Sequence, residues 1–86
     1  MNFRVQLSDS AAKALARLDE PLRGRILARL AELVANPYAP RVSQPLKAME
    51  GMRSSRVGGW RVLFTVNDTD RVVYVVAIRP RGEAYR

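Results

Sequence analysis

The sequence predicts an α+β fold: a small antiparallel β-sheet with an N-terminal strand and a helical hairpin packed on one face. Three observations predict it. Apolar residues alternate with polar ones near the N-terminus and again through the last third, the period of strands with one buried face. Between those stretches, leucines recur at helical spacing. The pair Gly58-Gly59 then separates two strand-like runs, a strong signal for a two-residue hairpin. Eighty-six residues suit one domain, 1–86, and leave no room for two cores.

The first element is a strand, because Phe3, Val5 and Leu7 alternate with Arg4 and Gln6. Ser8-Asp9-Ser10 supplies N-cap chemistry for a helix over Ala11–Leu18, with Ala11, Leu15 and Leu18 on one face. Asp19-Glu20-Pro21 breaks that helix and starts another. The second carries Leu22, Ile26, Leu30 and Leu33 on one stripe, joined by Leu27 and Val34, and Asn36-Pro37 ends it. Its other face holds Arg23, Arg25, Arg29 and Glu32, which read as a solvated surface. The two helices form a hairpin whose leucine stripe needs a sheet to lie on. A proline-containing loop, Tyr38 to Pro45, and a connector, Leu46 to Gly51, lead to the last third. No internal repeat or low-complexity tract interrupts the chain.

That last third, Arg53 to Arg86, organises the rest. With the turn at Gly58-Gly59, Val57 faces Trp60, Arg56 faces Arg61, Ser55 faces Val62 and Ser54 faces Leu63. A second reversal at Asn67-Asp68-Thr69-Asp70 places Val66 opposite Arg71 and Arg61 opposite Val76. One face then carries Val57, Trp60, Val62, Phe64, Val73, Val75 and Ala77, and this face lies under the helices. The other carries Ser54, Arg56, Arg61, Leu63, Tyr74, Val76 and Ile78. Like charges directly opposite one another destabilise a sheet by roughly 0.2–1 kcal/mol, so stability alone does not favour placing Arg56 across from Arg61. An anion held between the two guanidiniums would turn the repulsion into binding. The alternative is that they splay into water or meet Glu83. After Ile78, Pro80 stops the strand, and Arg79, Arg81, Glu83, Tyr85 and Arg86 follow; Tyr85 is an aromatic able to dock or to stack on a base.

Charge narrows the function classes. Fifteen Lys and Arg stand against eight Asp and Glu, for a net charge of +7 and a sequence pI near 11.1. Thirteen of the fifteen cations are arginine, the residue suited to bidentate phosphate binding. A polyanion or an acidic protein is the expected partner. With no histidine and no cysteine, zinc sites of the usual ligands, histidine acid–base chemistry, cysteine nucleophiles and disulfides are excluded. No metal and no cofactor are expected. Neither a signal-peptide core nor a membrane-length apolar run is present, which predicts a cytoplasmic protein with no membrane partner.

In this order the elements resemble those of the RelE/ParE superfamily, the toxins of type II toxin–antitoxin pairs. The resemblance is carried by the strand, helical hairpin and proline-containing loop, by Leu46-Lys47, by the block from Arg56 to Phe64, and by Arg81-Gly82-Glu83-Ala84-Tyr85-Arg86. It implies the RelE-like microbial RNase fold. RelE-like members are ribosome-dependent mRNA endonucleases, whereas ParE-like members share the fold and poison DNA gyrase. Arg56, Arg61, Arg81 and Tyr85 look more RelE-like. One departure is plain, since Ser54 stands where RelE-like enzymes usually carry a lysine.

The resemblance implies metal-free attack of an RNA 2′-hydroxyl on its own 3′ phosphodiester, with Arg61, Arg81 and Tyr85 as the catalytic set. Arg61 and Arg56 clamp the phosphate, with Arg53, Lys47 and Arg79 as further phosphate-binding cations. Arg81 would stabilise the transition state or assist the leaving oxygen. Tyr85 would stack on a base, or act as the proton acceptor if nearby cations lowered its pKa. The expected partners are a cognate antitoxin and mRNA on the ribosome. Two alternatives follow: a gyrase inhibitor without nuclease activity, and a non-catalytic basic domain that binds nucleic acid in a salt-sensitive way.

Overall fold

The computed structural model describes residues 2–83. Strand β1 (Arg4–Leu7) leads into helices α1 (Asp9–Arg17) and α2 (Leu22–Ala35). Four strands follow, β2 (Gln44–Pro45), β3 (Arg53–Val57), β4 (Trp60–Asn67) and β5 (Val72–Pro80), and then a 3-10 turn over Arg81–Glu83. They form one sheet in the order β1-β5-β4-β3-β2. The helices carry the chain from β1 across one face to the far edge. The chain then winds back through two hairpins and meets β1 in parallel. The sheet is therefore mixed, with β1 parallel to β5 and the other neighbours antiparallel, where the sequence had suggested an antiparallel one. It also gains an edge strand, β2, inside the segment read as a loop. Proline suits that place because an edge strand does not need every N–H in the ladder.

The helix boundaries follow from local chemistry. The Ser8 side chain accepts the Ala11 N–H at 3.0 Å, capping α1. A cis Glu20–Pro21 peptide separates the helices. Glu20 Oε1 accepts the Gly24 N–H at 3.0 Å, so a carboxylate satisfies one of the open donors at the start of α2. At its other end, Asn36 Oδ1 accepts the Tyr38 N–H at 3.0 Å and turns the chain.

Ile26, Leu30 and Leu33 of α2 are buried with Ala11, Leu18, Val57, Val62, Phe64, Val73, Val75 and Ile78. Leu27, expected on the same stripe, is 48% exposed; one residue past Ile26 turns it about 100° away from the sheet. The opposite sheet face has only a small apolar patch, Leu46, Leu63 and Ala77 with Met52 beside them, and the connector after β2 covers it.

The β3–β4 register is as expected, from Val57 opposite Trp60 to Ser54 opposite Leu63. Of the two turn glycines, only Gly58 has positive φ, at 59°, the pattern of a turn whose first central residue alone needs it. The β4–β5 register differs from expectation in two steps. Asn67 stays in the strand opposite Val72, and Arg71 takes a left-handed conformation with φ 58°. The reason is local: Asn67 Oδ1 accepts the Asp70 N–H at 2.9 Å, and the four-residue turn sits one residue farther along the chain than expected. Farther along, Phe64 pairs with Val75 but Leu63 pairs with Ala77, so Val76 is a bulge. The bulge exchanges the two faces beyond it. Ile78, assigned to the open face, is in the helix-covered core, and Ala77, assigned to the core, is on the open face. Arg61 accordingly faces Arg79 rather than Val76.

These burial differences predict unequal costs for two adjacent truncations. Ile26→Ala should destabilise by about 2–5 kcal/mol, as for other fully buried aliphatics, and Leu27→Ala by less than about 1 kcal/mol. Urea denaturation of both variants checks this, and equal costs would contradict the assigned helix face.

Candidate functional site: an arginine face

Alternation along β3 and β4 puts Ser54, Arg56, Arg61 and Leu63 on the face away from the helices. Because cross-strand partners share a face, the observed register lines up three arginines, Arg56, Arg61 and Arg79, across adjacent strands. The sequence had foreseen the first pair. The third arginine comes into line through the shifted turn and the Val76 bulge together.

Arg61 is the centre of the row and is half-buried, whereas Arg56 and Arg79 are exposed. Its Nη1 lies 3.5 Å from Ser54 Oγ, at the outer limit of a hydrogen bond. Burial first, then the positive charges of Arg81 and Arg56, pull the Arg61 guanidinium below the ordinary arginine value. An anion beside it would oppose the repulsion from Arg81 and Arg56. Arg81 reaches this neighbourhood because its N–H donates to Gly59 O at 2.9 Å, pinning the 3-10 turn over the β3–β4 hairpin.

Two cavities meet at Arg61. One, of about 200 Å³, is lined by Arg29, Arg41, Val42, Ser43, Gln44, Ser54, Arg56 and Arg61. The other, of about 360 Å³, is bounded by Gln44, Pro45, Leu46, Lys47, Ala48, Ser54 and Arg61. Lys47, separated from Arg61 in sequence, thus borders the same space. Arg53 does not. It has the same strand parity as the buried Val57, its Nε donates to Ser43 Oγ at 2.7 Å, and its guanidinium stacks 5.0 Å from the Tyr38 ring centre. Tyr38 in turn donates to Asp68 at 2.7 Å, which raises its pKa. Arg79 flanks Arg61 but also lines a separate groove with Lys13, Arg17 and Trp60. Tyr85 lies outside the described residues.

Sequence reasoning missed Arg41 and read Arg29 as solvated surface. Arg29 instead spans from α2 to the β3 edge, donating through Nη1 to Ser55 Oγ at 2.9 Å and to Arg56 O at 2.6 Å. Its Nε pairs with Glu32 at 3.2 Å, and Arg41 takes the other carboxylate oxygen. Arg25 is exposed, as expected, with its guanidinium over the hairpin turn: a Cβ on Gly58 would sit 3.3 Å from it. No sequence signal separates Arg29 from the other arginines of its helix face; the packing of α2 on β3 brings it to Ser55. Arg41 sits in a loop, where no periodicity points to a direction.

Comparison with known proteins places these features in a family context. Residues 5–85 match the family model described as ParE toxin of type II toxin-antitoxin system, parDE. The toxin RelE of Mycobacterium tuberculosis (strain ATCC 25618 / H37Rv) is 30% identical over 86 residues, covering 98% of this chain and 87% of that protein. Among solved structures, the archaeal RelE–RelB complex from Pyrococcus horikoshii OT3 is similar at 27% identity and a TM-score of 0.77, with 98% of this chain and 100% of that one covered. The intact E. coli RelBE toxin–antitoxin complex is similar in fold, with a TM-score of 0.80 at 21% identity over 93% of this chain and 96% of that one.

The paired arginines, led by Arg41, hold the Glu32 carboxyl below its ordinary 4.5. The folded value is depressed, so the attraction is complete above the unfolded carboxyl's pKa and is lost as pH falls through the folded one. Carbon-detected NMR titration should find Glu32 with a midpoint below 4.5, and Arg41→Gln should move it upward. An unchanged midpoint would rule out the Arg41 contact in solution.

Proposed function

The chain belongs to the RelE/ParE family of type II toxin–antitoxin toxins, and from that premise we propose that it is a ribosome-dependent mRNA endonuclease that acts in the cytoplasm and inhibits translation. The observation that carries this reading is the half-buried Arg61 at the centre of an arginine row on the open sheet face, with Arg81 pinned beside it.

In the proposed reaction the 2′-oxygen forms a bond to the adjacent phosphorus while the bond from phosphorus to the 5′-oxygen breaks. The 2′-proton goes to a base and the 5′-oxygen receives a proton, leaving a 2′,3′-cyclic phosphate and a 5′-hydroxyl. Negative charge builds on the non-bridging oxygens of the crowded phosphorus. Fixed cations in a partly desolvated site oppose that charge without having to reorganise. Arg61, flanked by Arg56, is placed to grip those oxygens in the bidentate manner of a guanidinium. Arg81 is the cation nearest in role to the leaving oxygen, and Lys47 borders the same space. Ser54 occupies the place of the usual lysine and is buried beside Arg61, so it orients that arginine rather than accepting a proton. Tyr85 either stacks on a base or takes the 2′-proton. Positioning of the mRNA by the ribosome supplies the remaining alignment. A cognate antitoxin is the expected protein partner, as the relatives solved as toxin–antitoxin complexes suggest.

A second reading, inhibition of DNA gyrase without RNA cleavage, is favoured by the ParE description of the matching family model. Cell-free translation separates the two. Mapping mRNA 5′ ends with and without ribosomes should show cuts only on ribosomes. Arg61→Ala and Arg81→Ala should each lower the rate by about 10²–10³, the usual effect of removing one transition-state charge stabiliser. Arg61→Ala should melt no lower than the parent, since it relieves like-charge repulsion. Intact mRNA together with inhibited supercoiling would transfer the assignment to gyrase.

A further inference from the structure

Resting on the reading that the arginine face binds RNA, we propose that the cavity at the open edge of β3 is a second phosphate site, taking the backbone phosphate adjacent to the one at Arg61. β2 pairs with β3 only at Ser54 and Arg53, so the edge beyond Ser54 is left without a strand partner. Into that gap come arginines from four different segments: Arg29 from α2, Arg41 from the following loop, Arg56 from β3 and Arg61 from β4. None of the residues lining the cavity among those described is acidic. Glu32 stands behind it, holding Arg29 and Arg41 by one oxygen each. One carboxylate shared by two of four guanidiniums leaves the cavity with an excess of positive charge.

The cavity is also prepared for its ligand. Arg29 has only 22% of its side chain exposed and is fixed by Ser55, the Arg56 carbonyl and Glu32. Its conformational entropy is already spent, so less is lost on binding. Arg41, with 75% exposed, is tethered at one nitrogen and free to adjust. The lining is polar except for Val42, and at about 200 Å³ it offers no apolar wall on which a base would stack. The neighbouring cavity differs, being larger and bounded by Pro45, Leu46 and Ala48. Because both cavities share Gln44, Ser54 and Arg61, a strand gripped at Arg61 can direct its next phosphate toward Arg41 without leaving the surface. Arg41 and Arg29 are thus positioning residues for the RNA, acting one nucleotide away from the reacting phosphorus.

Non-cleavable 2′-deoxy dinucleotides test this by isothermal titration against the whole chain. An adenylate dinucleotide is compared with versions carrying one additional terminal phosphate, on the 5′ or on the 3′ end. One of the two ends should tighten binding about tenfold, the scale of a hydrogen bond to a charged group. Arg41→Gln should abolish that gain and leave the parent dinucleotide's affinity within about twofold. Arg23→Gln, the same charge change on a part of α2 outside the cavity, should retain it. A gain at neither end, or one that survives Arg41→Gln, overturns the proposal. The nuclease reading fails separately: absent ribosomal cleavage with the phosphate gain intact would sink that reading and leave the second site standing.

Discussion

The arrangement of both faces depends on one irregularity, the bulge at Val76. A strand's alternation commits every side chain once the register is set, and β5 has to satisfy two demands that conflict. Near its start, Val73 and Val75 pack with Phe64 under the helices. Near its end, Ile78 must also reach that core, three residues on from Val75, which strict alternation forbids. An extra residue resolves the conflict. The bulge would leave a carbonyl without a ladder partner, and the Val76 carbonyl accepts the Ser8 hydroxyl at 2.7 Å while Ser8 N–H donates to Val75 O. Ser8 is also the cap of α1. A single serine therefore closes the bulge, ends β1 and starts the first helix.

From that correction follows the organisation of the functional face. Covering only one side of the sheet with helices leaves the other for polar side chains, and the bulge brings Arg79 into line with Arg61. The edge left by the short β2 is then closed from the helix side by Arg29, whose guanidinium bonds the Arg56 carbonyl and the Ser55 hydroxyl. A side chain here does the work of an absent strand. It also joins the helical layer to the strand that carries Arg56, so the scaffold and the cationic face are held by the same contact.

How far the sequence could be read depended on the range of the determinants. The helices, their break at Asp19-Glu20-Pro21, and the register around Gly58-Gly59 were legible because caps, turn residues and leucine spacing are local. The face assignment was legible up to Val75 and failed at Ala77 and Ile78, because a bulge has no mark in a run such as Val75-Val76-Ala77-Ile78, where every residue is apolar. Leu27 was misread for a related reason: an apolar residue beside a stripe is indistinguishable from a member of it until the packing partner is known. Within the candidate site, Arg56 and Arg61 were visible through the hairpin register and Lys47 through resemblance. Arg41 and the real part played by Arg29 come from tertiary packing alone, since the chain segments they connect are distant in sequence.

The arginines are graded by burial, and that grading bears on how such a face acts. Coulomb attraction grows as the surroundings become less water-like, and exposed charges are screened by salt. Arg56, Arg79 and Arg81, all exposed, can attract and orient a polyanion, but each taken alone is worth little in water. Arg61 differs because burial and two like charges already disfavour its charged form. An anion that reaches it offsets the repulsion from Arg81 and Arg56, against the cost of its own desolvation. The row therefore acts as a gradient rather than a uniform patch. On the proposed reading the phosphate seats at the centre of the row, where burial first and the charges of Arg81 and Arg56 next weigh on the guanidinium.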